Sequence, residues 1–194
     1  MIQTKRWLWR TKTTTTPELW LQPGLTLDQQ TELLQLSQSD FLVRKTTHDA
    51  TRFGSVKALE NWLGQPHEIL SLISPQNHLL GIVWLSQKSL PELVSAELLF
   101  QPSVELTKYQ LTFAIRLYAQ VRGQGLAKPL LEAAFEYFSQ TPLWQAFPTG
   151  QLWLQTQATN LPAKKVYQSL GFRQFTPADN EGEIVMLKTA VALQ

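Results

Sequence analysis

Gln120-Val121-Arg122-Gly123-Gln124-Gly125-Leu126-Ala127 is the stretch that decides how this chain is read, because one periodicity gives way to another there. Before it, Tyr109, Leu111, Phe113, Ile115 and Leu117 alternate with Gln110, Thr112, Ala114 and Arg116, the two-residue period of a half-buried strand. After it, Leu126, Leu130, Ala134 and Phe138, flanked by Leu131, Phe135 and Tyr137, recur at helical spacing and predict a broad buried face. A strand thus passes into a helix through Gly123 and Gly125. The first N–H groups of a helix have no intrahelical acceptor, and the aligned peptide dipoles add partial positive charge, so the turn favours an anion. Glycine there lets the backbone bend and lets a phosphate approach the amides. Arg122 and Lys128 stand where they could add charge. Pro129 would cost ~3 kcal/mol inside a helix but is tolerated near its start, so the helix begins no earlier than Gly123.

Two other glycine-turn chemistries are excluded. A P-loop would continue as Gly-Lys-Ser or Gly-Lys-Thr, whereas Leu126 follows Gly125. A dinucleotide fingerprint would place a third small residue where Lys128 stands. The turn does match Q-x-x-G-x-G, through Gln120, Gly123 and Gly125.

A second segment follows the alternating run Leu152 to Thr156. It reads Asn160-Leu-Pro-Ala163-Lys-Lys-Val-Tyr167-Gln-Ser-Leu-Gly171-Phe172 and fits N-x-x-A-x-x-x-Y-x-x-x-G-F. Asn160 suits an N-cap and Pro162 a first turn; Ala163, Val166, Tyr167 and Leu170 share a helical face that Gly171 ends. By spacing alone Tyr167 reads as a core aromatic with its hydroxyl at an edge. With both segments present in this order, the chain resembles the GNAT superfamily of acyl-CoA N-acyltransferases. The two segments and their flanks cover about the C-terminal half.

The resemblance implies an α/β (α+β) fold of GNAT type: a mixed, mostly antiparallel central sheet of six to seven strands, helices on both faces, and a splay between the two motif strands. It implies one domain over residues 1–194, acetyl-CoA (coenzyme A) as co-substrate, no metal, and transfer of an acetyl group to a primary amine by direct attack in a ternary complex. The Leu117 N–H would then lie near the acyl oxygen, with Tyr118 and Ala119 next along the cofactor. Gln120, Val121, Arg122, Gly123, Gln124, Gly125, Leu126, Ala127 and Lys128 would surround the pyrophosphate. Asn160 and Lys164 would border the cofactor, and Tyr167 would donate a proton to the departing sulfur. The chain departs from the family in one respect: many members carry an acidic base on the motif strand or its neighbours, whereas Tyr109 to Leu117 has none and shows Arg116. Glu97, Glu105, Asp49, His48 or a water chain stay open as proton acceptors. A CoA-binding module without turnover stays open as the alternative function.

Over 194 residues with 43% hydrophobic content the chain can bury a substantial core, and no segment approaches the ~20 apolar residues of a membrane helix. With no cysteine there is neither a disulfide nor a thiolate ligand or nucleophile. The net charge of +2 comes from scattered Lys and Arg, so no nucleic-acid partner is expected. The start, Lys5-Arg6-Trp7-Leu8-Trp9-Arg10 followed by Thr11 to Thr16, lacks the apolar run of an export signal, and a cytoplasmic protein, monomer or homodimer, is expected.

Residues 1–16 read as an N-terminal extension with a strand through Trp7 and Trp9. Glu18 to Gln22 reads as the first core strand. Thr26 should cap a helix through Leu27, Leu33, Leu34 and Leu36, and Ser55 should cap another through Val56, Leu59 and Trp62 to Leu63, with Gly64 as its stop. Residues 40–53 between them read as a polar surface loop, which the resemblance places beside the acceptor. Glu68 to Ser74 and His78 to Ser86 form a hairpin about Pro75-Gln76-Asn77. Residues 87–108 read as a structured insertion, Leu143 to Phe147 as a packed linker, and Phe172 to Phe175 with Glu183 to Leu187 as the last strands.

Overall fold

The computed structural model describes residues 7–9, 18–91, 108–147 and 150–188. Its elements are β1 (Trp7–Trp9), β2 (Leu19–Pro23), α1 (Leu27–Ser39), α2 (Phe41–Thr46), α3 (Asp49–Arg52), α4 (Val56–Leu63), β3 (His67–Ile73), β4 (Leu79–Gln87), β5 (Leu111–Leu117), α5 (Ala127–Ser139), α6 (Pro142–Gln145), β6 (Leu152–Gln157), α7 (Leu161–Ser169), β7 (Arg173–Gln174) and β8 (Glu183–Lys188). Most of the expected insertion at 87–108 and most of the extension at 1–16 lie outside the described residues. The strands form one mixed sheet in the order β1-β2-β3-β4-β5-β6-β8-β7, eight strands where six to seven were expected because the short β1 and β7 take part. The chain divides into two compact units: Met1–Trp84 with Ile115–Tyr137, and Leu85–Ala114 with Phe138–Gln194.

In the first unit β1 pairs antiparallel with β2, and β2 with β3. β3 returns as β4 through a turn in which Asn77 takes φ 70° and its N–H bonds the Ser74 carbonyl. Asparagine tolerates that left-handed conformation, which accounts for so tight a hairpin. Leu21, Leu70, Leu72, Ile82 and Val83 are buried along these strands. The Tyr118 N–H donates to the Leu80 carbonyl across β4 and β5.

Thr26 caps α1 in a reciprocal capping box with Gln29. Its buried residues are Leu33, Gln29 and Ser37, while Leu27 at its start is exposed. Gln29 goes inside because its side-chain oxygen accepts from Gln22 Nε2 at 2.9 Å while its own Nε2 reaches the Asn77 carbonyl. A buried amide with its partners present carries no desolvation penalty that would expel it. Residues 40–53 are not a loop. Asp40 ends α1 and caps α2, accepting from the Leu42 and Val43 N–H groups, and α3 follows directly. Ser55 caps α4 through the Ala58 N–H, and Leu59 and Trp62 are buried as expected.

In the second unit β5 pairs parallel with β6 through Leu111↔Leu152 and Thr112↔Trp153. β6 pairs antiparallel with β8 over six residues, and β7 with β8. Tyr109, Trp153, Val185 and Leu187 form a core cluster against which Leu90 and Phe175 pack. The expected packed linker is the short helix α6, and none of its residues is buried. Among the described residues no helix is long and apolar enough to cross a membrane.

Candidate active site

The glycine turn belongs to the first unit. Leu126, Leu130, Leu131 and Ala134 are buried and anchor the start of α5, so the apolar stripe fixes where the helix begins. Pro129 is its third residue, and helical bonding starts with the Leu130 N–H on the Leu126 carbonyl. Gly123 and Gly125 take φ +80° and +73°, where an L side chain is strained, and no atom lies within 4 Å of where a Cβ would stand on either. Their demand for glycine is therefore conformational rather than steric.

The amides of the turn divide into two sets. Val121 and Arg122 N–H groups both donate to the Tyr118 carbonyl, and Gln124 N–H points to the Val121 carbonyl. These three were expected to face a ligand and instead hold the turn together. The N–H groups of Gly123, Gly125, Leu126, Ala127 and Lys128 meet no acceptor among the described residues. Gly123, Gln124 and Gly125 are exposed and Leu126 is buried, so these donors run from the exposed tip of the turn into the first turn of α5. Gln120 contributes its carbonyl, which accepts from Gln124 Nε2 at 2.9 Å.

Arg122 also differs from its expected part. Its Nη2 donates to Asp40 Oδ2 at 2.6 Å and its Nε to the Leu117 carbonyl at 3.2 Å, so it braces the end of β5 against the α1–α2 junction. Burial pushes the Asp40 carboxyl up, but the Arg122 hydrogen bond, the Val43 N–H and the guanidinium charge outweigh it and leave the group below its ordinary range. Lys128 is half exposed, with its ammonium 3.8 Å from the Glu132 carboxylate. At the strand end the Tyr118 amide is taken by Leu80. Successive residues of a strand present their amides to opposite edges, so the Leu117 N–H faces away from β4. The Tyr118 side chain is fully buried, and burial first, then the Asp49 charge, raises its phenol well above the ordinary value. It is a packing residue whose amide and carbonyl are both engaged within the protein.

Asp49 was one of the open candidates for the proton acceptor. Its carboxylate is fully buried, with Arg116 Nε on Oδ2 at 2.5 Å, Arg116 Nη2 on Oδ1 at 2.9 Å, and Arg52 Nη1 on Oδ1 at 2.7 Å. Two guanidiniums occupy both of its oxygens, so in this arrangement Asp49 positions Arg116. The arginine that broke the expected acidic pattern on β5 is thus half of an ion pair spanning 67 residues. His48 is exposed at the start of α3, and Glu97 and Glu105 lie outside the described residues.

The second segment lies in the other unit. Asn160 caps α7, its side-chain oxygen accepting from the Ala163 N–H at 3.3 Å. The Lys164 ammonium donates to the Ala158 carbonyl at 3.4 Å. Ala163, Val166, Tyr167 and Leu170 do share a face, but each is only half-buried and α7 has no fully buried residue. The Tyr167 ring meets Phe113 of β5 edge-on at 5.9 Å and Phe172 at 6.2 Å. Gly171 takes φ +89° and turns the chain so that Phe172 is buried beneath that ring.

The sequence profile of the acetyltransferase (GNAT) family matches residues 30–172. The chain belongs to that family. Comparison with curated proteins finds no match. Solved structures share the fold at low identity. An uncharacterized protein of Bacillus halodurans is 16% identical with a TM-score of 0.62, covering 88% of this chain and 84% of its own. A putative GNAT-family acetyltransferase from Bordetella pertussis is 14% identical with a TM-score of 0.59, covering 94% and 99%. A spermidine N-acetyltransferase SpeG chimera from Vibrio cholerae and hSSAT is 16% identical with a TM-score of 0.58, covering 87% and 95%.

Proposed function

We propose that the chain, acting as one domain over residues 1–194, transfers an acetyl group from acetyl-CoA to a primary amine by direct attack within a ternary complex. The observation that carries this reading is the set of N–H groups at Gly123, Gly125, Leu126, Ala127 and Lys128 that meet no acceptor among the described residues, at the start of a helix, in a member of an acetyltransferase family. Fixed main-chain donors at a helix start suit a diphosphate, and Lys128 adds a positive charge.

The chemistry needs a neutral amine, a donor for the oxygen that turns negative as the thioester is attacked, and a proton for the thiolate. The Leu117 N–H serves the acyl oxygen, and the backbone at Tyr118 and Ala119 accompanies the pantetheine arm. Asn160 offers its amide NH2, since its oxygen is engaged in the cap, and Lys164 stands beside it. Tyr167 gives its phenolic proton to sulfur as the C–S bond breaks. The attacking amine must also lose a proton; Asp49 is spent on two arginines, which leaves His48, Glu97, Glu105 or a water chain as its acceptor.

A CoA-binding module without turnover is the second reading, favoured by the lack of an acid on β5. Calorimetry with coenzyme A followed by thiol release from acetyl-CoA against a panel of amines tests both. Heat together with amine-dependent thiol supports transfer; heat without thiol supports the module; no heat overturns both.

A further inference from the structure

We propose that Arg52 is a receptor for an anionic group on the acceptor, so that the amine acetylated carries a carboxylate, as a free amino acid does, rather than further positive charge. This rests on the acetyl-transfer reading and names its acceptor class.

The inference comes from how one buried carboxylate is shared. Asp49 gives both oxygens to Arg116 and a share of Oδ1 to Arg52, which donates through Nη1 alone. Arg52 therefore holds a fraction of a single negative charge, and among the described residues its Nε and Nη2 groups find no acceptor. Its guanidinium is nonetheless partly sequestered, over the Trp84 ring at 5.6 Å and the Phe53 ring at 5.9 Å, with 36% of the side chain exposed. Arg116 lies over the same Trp84 ring at 5.0 Å, so two cations flank one indole. The field extends to His67, stacked on Trp62, whose imidazole is pushed down to about 4 by burial and then by the Arg52 charge. Burial first, and the neighbouring Arg116, also disfavour the charged form of Arg52 itself, against the pull of Asp49.

A partly buried guanidinium lying over two aromatic rings, with donors to spare and too little counter-charge, is built to take a planar anion. Arg116, which shares its carboxylate, is next in sequence to Leu117, whose N–H is assigned the acyl oxygen, so the anion would sit at the reacting end of the strand. A polyamine would bring cations against cations there.

The test measures thiol release from acetyl-CoA with common L-amino acids, their amides, phosphoethanolamine and spermidine. It is accompanied by thermal protection of the protein by each amine in the presence of coenzyme A. Expected is a preference for the acids over their amides of tenfold or more in kcat/KM, with spermidine poorest. In Arg52→Gln that acid-to-amide ratio collapses toward one; in Arg52→Lys it recovers in part, and acetyl-CoA affinity stays that of the parent. Equal use of acids and amides, a preference for spermidine, or loss of acetyl-CoA affinity in Arg52→Gln each overturns the proposal. A preference confined to phosphoethanolamine replaces the carboxylate by a phosphate and overturns the amino-acid assignment. If no amine releases thiol, the transfer reading fails by itself; carboxylate-dependent protection then still reports on Arg52, and its absence overturns the receptor.

Discussion

The glycine turn and the Asp49 cluster belong to the same unit of the molecule and are made in opposite ways. The turn draws its donors from consecutive main-chain groups between Gly123 and Lys128, so its geometry follows from local φ values and one buried apolar stripe. The cluster draws three side chains from positions 49, 52 and 116, and Asp49 has no meaning there until β5 has been laid beside α3. The difference predicts that the turn should be sensitive in coenzyme A binding and forgiving in stability, and the cluster the reverse.

Asp49→Ala should break that comparison hardest if it is wrong. It leaves two guanidiniums without the buried carboxylate, and loss of one partner of such a pair costs about 3–5 kcal/mol. Urea unfolding should register it, and a change below about 1 kcal/mol would mean the cluster is not structural. Gly81→Ala comes next. A Cβ there would lie 2.8 Å from the Arg116 carbonyl and 3.0 Å from the Leu117 side chain, so β4 and β5 must part, at about 1–3 kcal/mol.

Gly123→Ala and Gly125→Ala should cost only the left-handed backbone, about 1–2 kcal/mol each, since nothing stands near the added methyl. Coenzyme A affinity should nevertheless fall more than tenfold, because the methyl occupies the approach to the amides. A stable variant that binds normally would show that the ligand lies elsewhere. Tyr167→Phe should leave both stability and acetyl-CoA binding near the parent values while turnover drops, since the ring keeps its packing on Phe113 and Phe172. Unchanged turnover would remove its proton from the mechanism.

The smallest effect concerns acid. Asp40 has a lowered carboxyl, so its contribution is present above the unfolded value near 3.8 and is lost as pH falls through the lower folded value. Asp40→Asn should therefore show a shallower loss of stability below about pH 4 than the parent, and parallel curves would deny the linkage.

The sheet, the hairpin at Asn77, the caps at Thr26, Ser55 and Asn160, and the strand-to-helix glycine turn were all legible in order along the chain. Each depends on groups a few residues apart: a side chain accepting from an amide three positions on, or an apolar stripe of period two or three to four. Local spacing was enough to say that Gly123 and Gly125 would bend and present amides. Which amides face outward was not legible, because the Tyr118 carbonyl claims two of them.

What only the tertiary structure decided is the fate of the charged and polar residues. Residues 40–53 looked like a polar loop because Asp40, Arg44, Lys45, Asp49 and Arg52 fit a solvated surface. Two of these became partners for Arg122 and Arg116, 82 and 67 residues away. The one hint was Arg116 itself, a cation on a half-buried strand that required a carboxylate from somewhere. Likewise Leu27 is exposed and Gln29 buried in α1, since the amide found Gln22 and the Asn77 carbonyl. Apolar burial acts through area and is readable from periodicity. A buried charge or amide is acceptable only beside a specific partner, and which residue that is depends on how distant segments of chain are brought together.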